Sequence, residues 1–143
     1  LGEVNRLLAA HQRKGKFPVQ YKMGPDPSSV DSCMVGGVVA NNSSGMCCGV
    51  SQNTYHTLRD MRVVLPDGTV LDTADATSRA AFLRSHAPLV AGVVALAERV
   101  QGDAELSALI RRKFSIKCTT GYSLNALVDF STEDPIEIIK VRF

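Results

Sequence analysis

The sequence predicts a mixed fold of helices and strands, α+β or α/β in class. Apolar residues recur at helical spacing at the start of the chain and again in its second half, and a hairpin signature lies between the two stretches. With 143 residues, 45% of them apolar, the chain has the material for one hydrophobic core.

Leu1, Val4, Leu8 and His11 follow helical spacing, with Leu7 widening the stripe. This helix is expected to stop near Gly15. Pro18, Pro25 and Pro27 then make residues 17–29 extended and rigid. Residues 30–53 are rich in small and polar side chains, with glycines at 36, 37, 45 and 49, and show neither helical nor strand periodicity. Arg62-Val-Val-Leu65 reads as a strand, Pro66-Asp67-Gly68 as the turn and Thr69-Val-Leu71 as the returning strand. Residues 78–101 read as helix, with Leu89, Val93, Leu96 and Val100 on one stripe and Pro88 either starting or breaking it. Asp103 is a candidate cap for a short helix through Ile110, and Arg111-Arg112-Lys113 forms a basic turn that suits a helix C-terminus. Residues 115–130 read as strand or loop. Asp134-Pro135 with Glu137 marks another helix start.

Composition excludes several functions. Lys and Arg total 16 against 14 Asp and Glu, a formal charge of +2, which argues against a nucleic-acid module that works by a strong basic field. The longest apolar run, Ala87 to Ala97, is interrupted by Pro88 and Gly92 and falls short of the ~20 residues a spanning helix needs. No secretory signal is visible, and no membrane contact is evident. Cys33, Cys47, Cys48 and Cys118 form no Cys-x-x-Cys pair, so neither a disulfide framework nor a metal or iron–sulfur site is expected. This usage suits a reducing, cytoplasmic compartment. The chain opens on Leu1 inside a helical pattern and ends on Phe143 without a polar tail, so we expect a piece of a longer protein.

The stretch with chemical potential is Gly36-Gly-Val-Val-Ala-Asn-Asn-Ser-Ser-Gly45. Glycines let a backbone approach a ligand closely, and successive exposed N–H groups then form a nest for an anion. Asn and Ser add short donors suited to phosphate or ribose oxygens, so the composition fits a pyrophosphate cradle without Lys or Arg in the loop. A tight turn between strands accounts for the same residue types. The pattern is neither Gly-x-Gly-x-x-Gly nor a P-loop.

Together, Gly24-Pro-Asp-Pro-Ser-Ser29, Gly36 to Gly45, Arg62-Val-Val-Leu-Pro-Asp-Gly68 and Lys117-Cys-Thr-Thr-Gly-Tyr-Ser-Leu-Asn-Ala-Leu127 resemble the FAD-binding domain of FAD-linked oxidases, the vanillyl-alcohol oxidase or PCMH type. The resemblance runs from the first helix to about Lys140. Within that superfamily the chain is most similar to D-lactate and D-2-hydroxyglutarate dehydrogenase-like flavoproteins, and its Asn-Asn-Ser-Ser-Gly-Met-Cys-Cys-Gly variant resembles large bacterial members that carry an iron–sulfur module. The resemblance implies an α+β fold of two subdomains with FAD between them, of which this chain covers part. It places Pro25 and Asp26 near the flavin end, and Ser32, Cys33, Met34, Gly36 and Gly37 along the pyrophosphate and ribityl region. Asn42, Ser44, Gly45 and Gly49, with Asn41, lie on the closing loop. The family often has Thr or Asn where Met34 stands, which leaves the backbone N–H for contact there. The family's upstream Gly-rich loop and downstream Gly-Ser-Glu-Gly-Thr-Leu stretch are absent from this sequence. We therefore expect this stretch alone to hold FAD poorly.

The activity implied is oxidation of a D-2-hydroxy acid by hydride transfer to FAD, with substrate contacts from a later cap domain and an electron acceptor that the sequence does not name. No residue here is identified as the catalytic base. A non-catalytic nucleotide- or anion-binding module, and another FAD-linked oxidase reaction on the same fold, are the alternatives. Cys47-Cys48 read as packing or loop lining. His11, His56 and His86 read as surface or structural, with Tyr55-His56 also a candidate for the flavin face. Arg59 and Arg62 either offset phosphate charge or lie on a solvated strand edge. Thr120-Gly121-Tyr122 lies near the cofactor or packs at a subdomain interface.

Overall fold

The structure, a computed structural model, describes residues 1–46, 49–118 and 122–142. The described residues are mixed α+β and form two compact units. Unit 1 comprises Leu1–Thr57 with Lys117 and Cys118, and unit 2 comprises Leu58–Ile116 and the chain from Tyr122 on.

In unit 1, α1 is Gly2–Arg13 and ends where expected. Gly15 takes φ +70°, and the Gly15 and Lys16 amides donate back to Gln12 and His11 carbonyls at 2.9 and 3.1 Å, a left-handed helix stop. The proline-rich arm that follows is tied to α1 by the Met23 amide, which donates to Asn5 Oδ1 at 2.8 Å. Of two short helices, α2 (Val35–Ala40) lies inside the stretch where no period was found and α3 (Thr54–Thr57) directly follows it. Val38 is the buried anchor of α2, and the buried Thr54 hydroxyl lies 3.1 Å from the Val38 carbonyl and 3.3 Å from that of Ser43.

Unit 2 begins with the expected hairpin. Strands β1 (Arg62–Val64) and β2 (Val70–Asp72) pair antiparallel with Val63 opposite Leu71. Gly68 at φ +84° makes the turn, and Asp67 Oδ1 accepts from the Thr69 amide at 2.9 Å. The helix expected over 78–101 is two helices, α4 (Ala76–Ser85) and α5 (Ala87–Gln101), bent by 92° at His86. Pro88 sits in the first turn of α5, where its missing N–H does no harm. The buried stripe of α5 also differs. Val90, Val93, Ala97 and Val100 face inward, whereas Leu89 and Leu96 are exposed. Asp103 caps α6 (Ala104–Phe114) by accepting from the Leu106 amide, and the basic turn closes that helix. The 115–130 region contains a short helix, α7 (Ala126–Asp129), and α8 (Pro135–Arg142) starts at the expected proline. No single helix among the described residues is long and apolar enough to cross a membrane.

Leu71, Phe82, Ile136 and Ile139 form the core of unit 2, with Val63, Leu65, Val90 and Val93 packed against it. Arg79 locks α4 to α8 over this core. Its guanidinium donates to both oxygens of Asp134 at 2.6 and 2.7 Å, and to Glu137 and the Thr73 carbonyl at 3.1 Å each. Lys140 adds a second hydrogen bond to Glu137 and reaches the Arg59 carbonyl at 2.9 Å. Burial pushes the Glu137 carboxyl up, but hydrogen bonds from Lys140 and Arg79, with their charges, outweigh it and hold the group below its ordinary range.

Arg79→Ala should lower stability by about 2–3 kcal/mol in urea unfolding, because it leaves the Asp134 carboxylate and the Thr73 carbonyl without their donor and Glu137 with Lys140 alone. A depressed carboxylate supports folding above its unfolded pKa and loses that support as pH falls through the folded value. The wild-type chain should therefore lose stability below about pH 4 more steeply than Glu137→Gln. Asp67, held low mainly by the Thr69 hydrogen bonds, and Asp72, held low mainly by Arg62, titrate in the same sense, so the variant flattens the slope without abolishing it.

Candidate functional site

The site lies wholly in unit 1 and is built on one contact between the proline-rich arm and the Asn-Ser loop. Asp26 and Gly45 form a parallel bridge, in which the Asp26 amide donates to the Ser44 carbonyl at 3.4 Å and the Met46 amide to the Asp26 carbonyl at 2.7 Å. Gly45 takes φ +71°, and a Cβ there would stand 1.8 Å from the Asp26 carbonyl oxygen. Only glycine permits this approach.

The loop is also held from behind. Asn42 adopts φ +45°, its Oδ1 accepts from the Tyr55 amide at 2.9 Å, and its Nδ2 donates to the Cys118 carbonyl at 3.5 Å. His56 on α3 meets Asn53 Oδ1 through Nδ1 at 2.7 Å, while His11 meets the Leu7 carbonyl at 3.0 Å. In unit 2, His86 contacts Asp67 and stacks on Phe82, and Arg62 pairs with Asp72.

Two depressions flank this loop. One, of about 210 Å³, is lined by Pro27, Ser28, Asn41, Ser43, Ser44, Gly45, Met46 and Lys117. The other, of about 410 Å³, shares Pro27, Asn41 and Ser43 and adds Ser29, Cys33, Met34, Gly37 and Val38. Ser44 is 2% exposed, and its Oγ has no hydrogen-bond partner among the described residues. Such a buried hydroxyl costs about 1–3 kcal/mol unless something satisfies it. Lys117 Nζ stands 3.2 Å from the Gly45 carbonyl at the edge of the smaller groove.

Part of Val35–Gly49 spends its amides on internal hydrogen bonds. The amides of Val38, Asn41, Asn42 and Ser43 close α2 and its last turn, and that of Met46 closes the bridge. Val38 is buried and drives helix formation despite the two glycines. The polar groups on the smaller groove's wall are therefore hydroxyls, a carboxamide and an ammonium.

Of the residues singled out in the sequence, Cys33, Met34, Gly37, Asn41, Ser44 and Gly45 line the two grooves. Pro25 is buried, and Asp26 contributes its backbone to the bridge. Ser32 is exposed, with its hydroxyl on the Ser29 carbonyl at 3.3 Å. Gly36 faces open space one residue from the wall, and Gly49, at φ +113°, also faces open space. Asn42 has both ends of its side chain committed to holding the loop. Cys47, Cys48, Thr119, Thr120 and Gly121 lie outside the described residues. Tyr122 is exposed. Sequence reasoning missed Pro27, Ser28, Ser29, Val38, Ser43, Met46 and Lys117 as lining residues, although all but Met46 belong to stretches that carried the resemblance. No group of three His, Cys, Asp or Glu residues among the described ones is placed to hold a metal ion.

The grooves suit part of a dinucleotide. The smaller lies below the roughly 300–1,000 Å³ usual for a whole ligand, and its donors match phosphate oxygens. The open faces of Gly36 and Gly37 let a ligand approach the backbone of α2. A family model described as FAD binding domain matches residues 1–74, which span the arm, the loop and the hairpin. No curated protein and no solved structure matches the chain.

Gly45→Ala should destabilise the chain by at least about 2 kcal/mol, because backbone sterics and a positive φ both oppose it. Gly37→Ala, in open space on a helix, should be neutral or stabilise by up to roughly 1 kcal/mol. Thermal and urea melts of the two variants measure the contrast.

Proposed function

The chain belongs to the family of FAD binding domains, and from that membership we propose that it holds FAD in an oxidoreductase that oxidises a D-2-hydroxy acid. FAD is the cofactor, and the module is of the flavin-binding oxidoreductase type. The hydroxy-acid substrate is supported by the likeness of Gly24 to Ser29 and Lys117 to Leu127 to D-lactate and D-2-hydroxyglutarate dehydrogenase-like proteins.

FAD, when bound, supplies the two-electron acceptor for the oxidation. The residues of this chain supply binding. The bridge at Gly45 fixes the groove wall, and Lys117 offers a charge at its edge. The observation that carries the reading is this groove, set in the matched segment and lined by donors without a carboxylate. No side chain here is assigned as the base for the hydroxyl proton.

A bare anion-binding module is the second reading, favoured by the small volume of the groove. Titration with FAD, ADP and inorganic phosphate separates the two. FAD should bind at least about tenfold tighter than ADP, a difference of about 1.4 kcal/mol from contacts beyond the phosphates. Equal, weak binding of all three would sink the flavin reading.

A further inference from the structure

The inward side of α6 carries the buried Ser107 and Ile110, and the Ser107 hydroxyl donates to the Val100 carbonyl of α5 at 2.7 Å. The opposite side carries Glu105, Leu109, Arg112 and Ile116, which recur at helical spacing and are all exposed, Ile116 at 66%. Ser115 keeps helical dihedrals past the last turn, so Ile116 continues the row. We propose that this face is a contact between two copies of the chain, in which two α6 helices pack antiparallel about a two-fold axis near Ala108 and Leu109. This pairing is independent of the FAD reading.

Charge complementarity selects the second copy as occupant. Glu105 and Arg112 have no ion-pair partner among the described residues. Their own helix supplies none. The residues three and four positions on from Glu105 are Ala108 and Leu109, and those on either side of Arg112 are Ala108, Leu109, Ser115 and Ile116. A two-fold axis at the centre of this row sets Glu105 of each copy opposite the partner's Arg112. One contact then makes two ion pairs around a patch of Ala108 and Leu109 that meets its own equivalent. Antiparallel packing also keeps the Arg111-Arg112-Lys113 turns of the two copies apart, whereas parallel packing would set like charges together. The helix dipole accounts for the signs of Glu105 and Arg112 but not for the exposed leucine and isoleucine in the same row. With 11 residues α6 is about 16 Å long, so this contact falls well below the ~800 Å² per partner of a stable dimer. The dimer is accordingly weak, with a dissociation constant of roughly 0.1–1 mM.

Sedimentation equilibrium of the full chain over roughly 0.02–2 mM, a range that brackets this affinity, tests the pairing. Wild type should pass from monomer to dimer, and Leu109→Asp should remain monomeric. Glu105→Arg and Arg112→Glu, each alone, place like charges at both contacts and should weaken association about tenfold. An equimolar mixture of these two variants should recover association to near the wild-type level, because their heterodimer sets an arginine against a glutamate at both contacts. Circular dichroism checks that each variant folds, which the exposure of the three positions predicts. Recovery on mixing supports the pairing, since neither a lipid surface nor a general change in solubility would produce it. A wild type that stays monomeric across the range, single variants that associate as wild type does, or a mixture that recovers nothing overturns it. Wild type that pellets with phosphatidylglycerol vesicles through Arg112 but does not self-associate also overturns it, in favour of an anionic surface as occupant.

Discussion

The contact between Asp26 and Gly45 is the constraint on which the ligand-facing part of the molecule depends. The arm on one side is stiffened by Pro25 and Pro27, and the loop on the other is turned by Asn42 and Gly45, both at positive φ. Neither strand of the contact is long enough to belong to a sheet. The pair holds because the Asp26 amide and carbonyl are both used and because position 45 carries no side chain. Asn42 and Thr54 then brace the loop from the side away from the grooves. A groove wall thus arises from backbone contacts, leaving the side chains of Ser28, Ser43 and Lys117 to line the opening.

The two units use charge differently. In unit 2 the ion pairs are internal: Arg62 with Asp72, Arg79 with Asp134 and Glu137, and Lys140 with Glu137. Each of these three cations has a carboxylate partner, and Arg79 and Lys140 hold α4 and α8 over an apolar core. In unit 1 the grooves have no carboxylate on their walls, and the ammonium of Lys117 meets a neutral carbonyl. A buried hydroxyl without a partner is a local loss of stability, and such losses are expected where binding sets the sequence. Ser44 has that character, whereas the satisfied hydroxyls of Thr54 and Ser107 in the interior do not.

Local chemistry was the legible part of the fold. The helix stop at Gly15, the Asp67-Gly68 turn, the Asp103 cap and the proline start of α8 each follow from one or two neighbouring residues. The α2 helix was not legible, because Gly36-Gly37 argue against a helix and only burial of Val38 overrides them. The break at His86 was legible in part, since Pro88 marked a helix start or a break and starts α5. Residues 76–101 keep helical composition on both sides, and the bend is fixed by His86 stacking on Phe82 and reaching Asp67 in the hairpin turn. At the site, residue types pointed to the right stretch but not to the right atoms. Asn42 looked like a donor to a ligand and is instead a brace, while Lys117 opens a stretch that carried the resemblance but lies 72 residues from the loop it meets.

The pairing of the grooves bears on what a ligand must look like. The smaller has hydroxyls, a carboxamide and a cation on its wall, and the larger adds Met34, Val38 and the bare face of Gly37. They share Pro27, Asn41 and Ser43, so a molecule occupying one is adjacent to the other. A compact anion would satisfy the first and gain nothing from the second. A ligand with a charged linkage joined to flat, largely apolar groups gains from both, since Met34 is 80% exposed and its coverage removes apolar surface from water. That is the chemistry of a dinucleotide cofactor, and it explains how grooves too polar or too small to hold such a ligand singly can act together on its different parts.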